Sequence, residues 1–159
     1  MRAGDRNDGF ILLGMLVLLM VSGFVLAQAG IRWRDEVQRE REQELLKIGE
    51  AYRKAIGSFY NQTPDVVKQY PPSLDALLRD ERFPQARRHI RKLYLDPITQ
   101  REGWGLVEAP SGGVMGIYSL SDKAPFKTKG FRPQYKYMEN KKYYGEWYFV
   151  YLPVQTATN

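Results

Sequence analysis

Between Gly9 and Ile31 the chain carries no charged side chain and consists mostly of Leu, Val, Met, Phe, Gly and Ala. A stretch of this length and composition predicts a helix able to cross the hydrocarbon of a bilayer. The character changes at once after it. Arg32, Arg34, Asp35 and Glu36 follow with no proline or turn cluster between. Val37, Leu45, Ile48, Tyr52, Ala55, Ile56 and Phe59 then recur, and from Leu45 onward the steps of three and four define one helical face. The pattern predicts a single helix from Phe10 to about Asn61. Its first part, 10–31, is apolar all round, and its second, 32–61, is amphipathic. Arg39 to Glu44 is charged all round, and is expected to be solvated or packed against neighbouring copies. Gly14, Gly23, Gly30, Gly49 and Gly57 each weaken a helix by about 1 kcal/mol relative to alanine. Gly23 and Gly30 are the expected places for a bend. Gly14, Gly23 and Gly30 could also admit neighbouring helix backbones in lipid, or be glycines simply tolerated there.

The remainder, 62–159, predicts one α+β domain. Asn61-Gln62-Thr63-Pro64-Asp65 ends the helix, because the residue before proline is pushed out of helical geometry. Ser73 is a good N-cap for a short helix with Leu74, Leu77 and Leu78 on its apolar face. Arg82 to Tyr94 is basic and expected to be partly helical, and Asp96-Pro97 marks a turn. From Trp104 the period becomes that of strands. Trp104 to Glu108 and Val114 to Leu120 read as a hairpin around Ala109-Pro110-Ser111-Gly112-Gly113, and Glu146 to Leu152 as a last strand. Ser121 to Tyr144 reads as a long loop. The expected packing buries one face of a small antiparallel sheet on the Leu45–Phe59 face of the helix.

Cysteine is absent from the 159 residues, which excludes disulfides, thiolate metal sites and cysteine catalysis. The net charge of +6 is concentrated in two places. One is Arg87, Arg88, Arg91 and Lys92; the other is Lys127, Lys129, Arg132, Lys136, Lys141 and Lys142. Such a surface suits lipid headgroups, nucleic acid or an acidic protein. Phe126, Phe131, Tyr135, Tyr137, Tyr143 and Tyr144 interleave with the second group, a mix that can hold single-stranded nucleic acid by stacking and charge. The competing reading is a solvated loop whose aromatics lie on the sheet. His89 is the only histidine and is expected at the surface. Asp75, Asp80 and Glu81 form no convincing acid–base pair. No Ser-His-Asp set, phosphate-binding glycine loop or metal-spaced cluster is legible, so no enzyme, metal or cofactor is expected.

Arg6-Asn7-Asp8-Gly9-Phe10, the helix continuing into Tyr52, Ile56 and Phe59, and the ordered set Tyr70-Pro71-Pro72-Ser73-Leu74-Asp75-Ala76-Leu77, Leu95-Asp96-Pro97, Trp104 and Ile117-Tyr118-Ser119-Leu120-Ser121 together resemble the type IV pilin-like proteins, above all the pseudopilins of type II secretion. The resemblance implies a pilin-like fold. It implies a leader, 1–9, removed by prepilin peptidase between Gly9 and Phe10, with Phe10 the new and N-methylated terminus. It places the helix in the bacterial inner membrane and the domain in the periplasm. The implied partners are other pilin-like subunits, the inner-membrane components of a secretion or pilus machine, and lipid. Two departures stand out. The family's usual glutamate four residues after the phenylalanine is Gly14 here, which fits a minor or divergent subunit. Where the major pseudopilins carry an acidic calcium loop, this chain has Asp122-Lys123-Ala124-Pro125-Phe126-Lys127, a poor ligand set for calcium.

Two alternatives accompany this reading. Ala27-Gln28-Ala29 fits a signal-peptidase site, and the arginines after the apolar segment, taken by the positive-inside rule, place the domain in the cytoplasm. The expected function is a structural subunit. The alternative is a membrane-tethered module whose basic aromatic region binds nucleic acid or an acidic protein.

Overall fold

The computed structural model describes residues 6–153, with side-chain surroundings from Gly9 to Gln28 and from Arg32 onward. The architecture is α+β: one long helix and a three-stranded antiparallel sheet. Helix α1 spans Arg6–Asn61, 56 residues. It starts slightly earlier than the apolar pattern implies. Adding residues to an existing helix is cheap compared with nucleating one, and Asp8 suits a helix N-terminus. The chain divides into two units at Arg39/Glu40. The first, over its described residues, is the opening part of α1. It contains a segment long and apolar enough to cross a membrane, none of it buried.

The second unit is built on the rest of α1. Leu45, Ile48, Tyr52, Ala55, Ile56 and Phe59 are buried along one face, as the three-four spacing requires. Each large side chain so buried contributes about 1.5–3 kcal/mol. Strand β1 is Gly105–Glu108, β2 is Val114–Tyr118 and β3 is Phe149–Val150. The order is β1-β2-β3, with Leu106 opposite Ile117 and Ile117 opposite Phe149. Ile117 and Phe149 are fully buried in the cluster that holds the helix face. In the hairpin, Gly112 and Gly113 take φ of 86° and 82°, which other residues adopt only with strain.

The predicted strands shorten at their ends. Trp104 is not in the ladder. Its indole packs edge-on against Tyr52 and donates to the Tyr94 carbonyl at 2.9 Å. The last strand shrinks to two residues because Tyr144–Glu146 forms a 3-10 turn, held by the Glu146 carboxylate accepting from the Lys142 and Tyr143 N–H groups. Ser73 caps nothing. A 3-10 turn covers only Asp75–Leu77, since the Leu77 carbonyl accepts from the His89 and Ile90 N–H groups. Arg82 to Tyr94 holds no helix. It is pinned by a bridge between Asp80 and Arg87. The long loop also has internal order: Pro133–Met138 is a 3-10 turn that buries Tyr135 and Met138.

Gly49 and Gly57 are where α1 meets the sheet. A Cβ on Gly49 would overlap the Phe149 ring, and one on Gly57 the Tyr151 ring. Their absent side chains let the sheet approach the helix. Gly49→Ala should therefore lower stability by up to about 2 kcal/mol, the overpacking cost of about 1–3 kcal/mol being offset in part by a helix-propensity gain of about 1 kcal/mol. Thermal melts of the variant and of Gly14→Ala, which meets nothing within 4 Å, should separate the two positions.

Candidate functional site

Four features bear on function: the apolar segment of α1, a buried carboxylate at Glu42, a polar cluster around His89, and a basic cleft along α1.

Among the described residues of the apolar segment every large apolar side chain is exposed, from Val17 at 54% to Phe10 at 78%. Gly9 and Phe10 both lie within α1. Gly14 and Gly23 face open space. Gly30 lies in the helix, with its side-chain surroundings outside the described residues. No intramolecular contact accounts for this surface. The segment's length and apolar composition are those of a helix that can cross a membrane.

Glu42 belongs to the charged half-turn expected to be solvated or packed against neighbouring copies. It is 5% exposed. Its carboxylate accepts from the N–H groups of Phe126 at 2.8 Å and Lys127 at 3.1 Å, and from the Tyr144 hydroxyl at 2.9 Å. One helix side chain thus gathers the segment that follows Ser121, where the resemblance places a calcium loop. Among the described residues no group of three or more His, Cys, Asp or Glu side chains could hold a metal ion. Glu42 lies three residues before Leu45 and so continues the buried face, but in a run of charges no apolar side chain marked it.

His89 is likewise not at the surface; its side chain is 2% exposed. Nδ1 pairs with Ser58 Oγ at 2.9 Å and Nε2 with Asp80 Oδ2 at 3.1 Å. The sequence showed no Ser-His-Asp set because these residues belong to separate segments. Asp80 is clamped by Arg82, whose Nε and Nη2 donate at 2.8 and 2.7 Å. This guanidinium holds the Asp80 carboxyl down to about 2, with His89 adding in the same direction. Arg82 also donates to Thr63 Oγ1 and the Phe59 carbonyl, both at 2.9 Å, and lies over the Phe59 ring. The arrangement ties the end of α1 to residues 77–90. A nucleophilic role asks for substrate access to the imidazole and a carboxylate free to orient it. Here the ring is covered and the carboxylate is shared with a guanidinium, so bracing is the role the geometry supplies.

The basic residues are scattered. Arg87 bonds Gln62 Oε1 at 3.0 Å and stacks on Phe83, Lys92 lies over Tyr94, and Arg88 and Arg91 are exposed. Lys141 lies 3.8 Å from Glu146, and Lys129, Lys136 and Lys142 are exposed. Lys127 and Arg132 are different. They border a cleft of about 560 Å³ together with Lys47 and Lys54 of α1. The sequence reading passed over Lys47 and Lys54, although their spacing of seven puts them on one helix face. The interleaved aromatics divide: Tyr135 and Tyr144 are buried and Phe131 packs partly against the core, whereas Phe126, Tyr137 and Tyr143 are exposed.

Comparison with known proteins returned no matching family model, no matching curated protein and no matching solved structure. The functional reading therefore stands on the chain itself.

Two outcomes follow from the buried carboxylates. Glu42→Ala should cost about 2–3 kcal/mol, because buried donors lose their acceptor, whereas calcium chelation should leave the melting temperature of the wild type unchanged. Melts with and without chelator check both. Asp80 and Glu50 are each held down to about 2, against about 4 when unfolded. A depressed carboxylate stabilises the fold above its unfolded pKa, and that stability is lost as pH falls through the folded one. Denaturant titrations should show stability falling between about pH 4 and pH 2. Asp80→Asn should flatten part of that slope and cost about 3 kcal/mol near neutrality.

Proposed function

We propose that this chain is a pseudopilin-like structural subunit of a type II secretion or type IV pilus-type assembly. Residues 10–31 hold it in the bacterial inner membrane, and the α+β unit faces the periplasm. The observation that carries the reading is α1 itself. A single helix bears an exposed, charge-free apolar segment and, further along, supplies the core face of an α+β unit. A signal peptide or a plain anchor has no need of that continuity, since either can join its domain through a linker.

The resemblance of Arg6-Asn7-Asp8-Gly9-Phe10 to a prepilin peptidase site supplies the processing step. The peptidase would remove 1–9, and Phe10 would become the terminus. Assembly would then be mechanical. The apolar helix stays in lipid until it packs against related helices, whose contacts offset the cost of leaving the bilayer. Gly14 in place of the family's glutamate leaves no carboxylate to pair with a neighbour's amino terminus. That suits an accessory or minor subunit better than the main repeating one.

Intact mass of the membrane-extracted protein, from cells with and without a prepilin peptidase, tests the proposal. The expected species begins at Phe10 only when the peptidase is present, and Gly9→Val should leave the precursor uncut. A chain uncut in both strains, or cut after Ala29, overturns the reading.

A further inference from the structure

We propose that the cleft between α1 and the 127–135 segment is a docking site for an acidic helical segment of a partner protein. Four cations border it: Lys47, Lys54, Lys127 and Arg132. The one carboxylate in its wall, Glu50, is already matched. Arg53 forks onto both its oxygens at 2.8 and 2.9 Å, and the Tyr135 hydroxyl donates to it as well. Lys54 lies 3.7 Å from Glu50 yet its side chain is 70% exposed, so its ammonium remains open to a ligand. Lys127 sits above the Phe131 ring. Among the described residues Lys47, Lys127 and Arg132 form no ion pair within 4 Å, so the cleft carries an excess of positive charge. Leu46, Ala51 and Phe131 give it an apolar component. Its volume is in the range of sites that hold a ligand.

The spacing of the cations selects the ligand. Lys47 and Lys54 are seven residues apart on α1, about 10 Å along the axis. Two carboxylates seven residues apart on a partner helix match that interval, and apolar residues between them would meet the Leu46 and Phe131 side. Nucleic acid fits less well. It would draw on stacking as well as charge, but Tyr135 is buried with its hydroxyl engaged by Glu50, and Phe131 is packed edge-on against Trp147. The cleft offers charge and an apolar floor, and few free aromatic faces. This inference does not depend on the chain being a pilus-type subunit.

The test uses the full chain in detergent micelles and fluorescence anisotropy. The probe is a labelled helical peptide with two glutamates seven residues apart and two leucines between them, and its control carries glutamine at both places. Lys54→Glu and Arg132→Glu alter the cleft, and Arg88→Glu adds the same charge change at an exposed site outside it. All three positions are exposed, so the fold should survive, and circular dichroism confirms that. The expected result is binding of the glutamate peptide at least tenfold tighter than the glutamine peptide. Either cleft variant should weaken it at least tenfold, and Arg88→Glu less than twofold. Equal binding of the two peptides overturns the proposal, as does equal loss in all three variants. Displacement of the peptide by oligothymidylate, with the oligonucleotide itself lost in the cleft variants, would make the site one for nucleic acid and overturn it too.

Discussion

The sheet depends on the helix. Three strands of four, five and two residues cannot bury enough apolar surface to stand alone. What they lack, α1 provides between Leu45 and Phe59. Tyr52 shows the coupling most directly. It is fully buried, its ring meets Tyr94 and Trp104 edge-on, and its hydroxyl accepts from the Tyr94 N–H at 2.9 Å. One helix side chain thus fixes both the core and the path of the segment that enters β1. Gly49 and Gly57 allow the sheet to come close enough for this to work. This part of the helix is an integral part of the core.

Much of the second unit is irregular backbone, and irregular backbone must find hydrogen-bond partners outside ladders and helices. Buried polar side chains supply them here. Glu42 accepts two consecutive N–H groups from the loop after Ser121. Asp96 is fully buried. It accepts from the Ile98 N–H at 2.9 Å and the Ser119 hydroxyl at 2.7 Å, which joins its turn to the chain just after β2. Thr63 and Asp80, through Arg82, close the end of α1. Each of these residues is charged or polar, yet each works as part of the interior. The cost of burying them is offset because their bonds are made to several donors at once.

This pattern explains what could be read in advance. The helix, its termination near Asn61 and the hairpin were legible because they rest on periodicity, proline and glycine, all local signals. The buried face was legible for the same reason. The ends of the strands were not. Trp104 and Glu146 have ordinary strand surroundings in sequence, and were diverted by a carbonyl at Tyr94 and a turn at Lys142–Tyr143. The burial of Glu42, Asp80 and His89 was not legible because most of their partners lie far along the chain. The basic surface was legible as composition but not as a site. Lys127 and Arg132 acquire meaning only beside Lys47 and Lys54 of α1.

The two groups of glycines sharpen the functional argument. Gly49 and Gly57 are consumed by contacts within the chain, whereas Gly14 and Gly23 meet nothing. The exposed Leu, Val, Met and Phe side chains around the latter also have no partner within the chain. An isolated anchor could be covered by lipid alone, and its small residues would then have no packing use. In a bundle, small residues let backbones approach, and association gains from close packing because lipid is as apolar as leucine. With no ionisable side chain between Gly9 and Ile31, and with the Ser22 hydroxyl already donating to the Leu18 carbonyl at 2.8 Å, no charge in this segment demands a partner. Packing of the proposed kind would therefore be governed by shape.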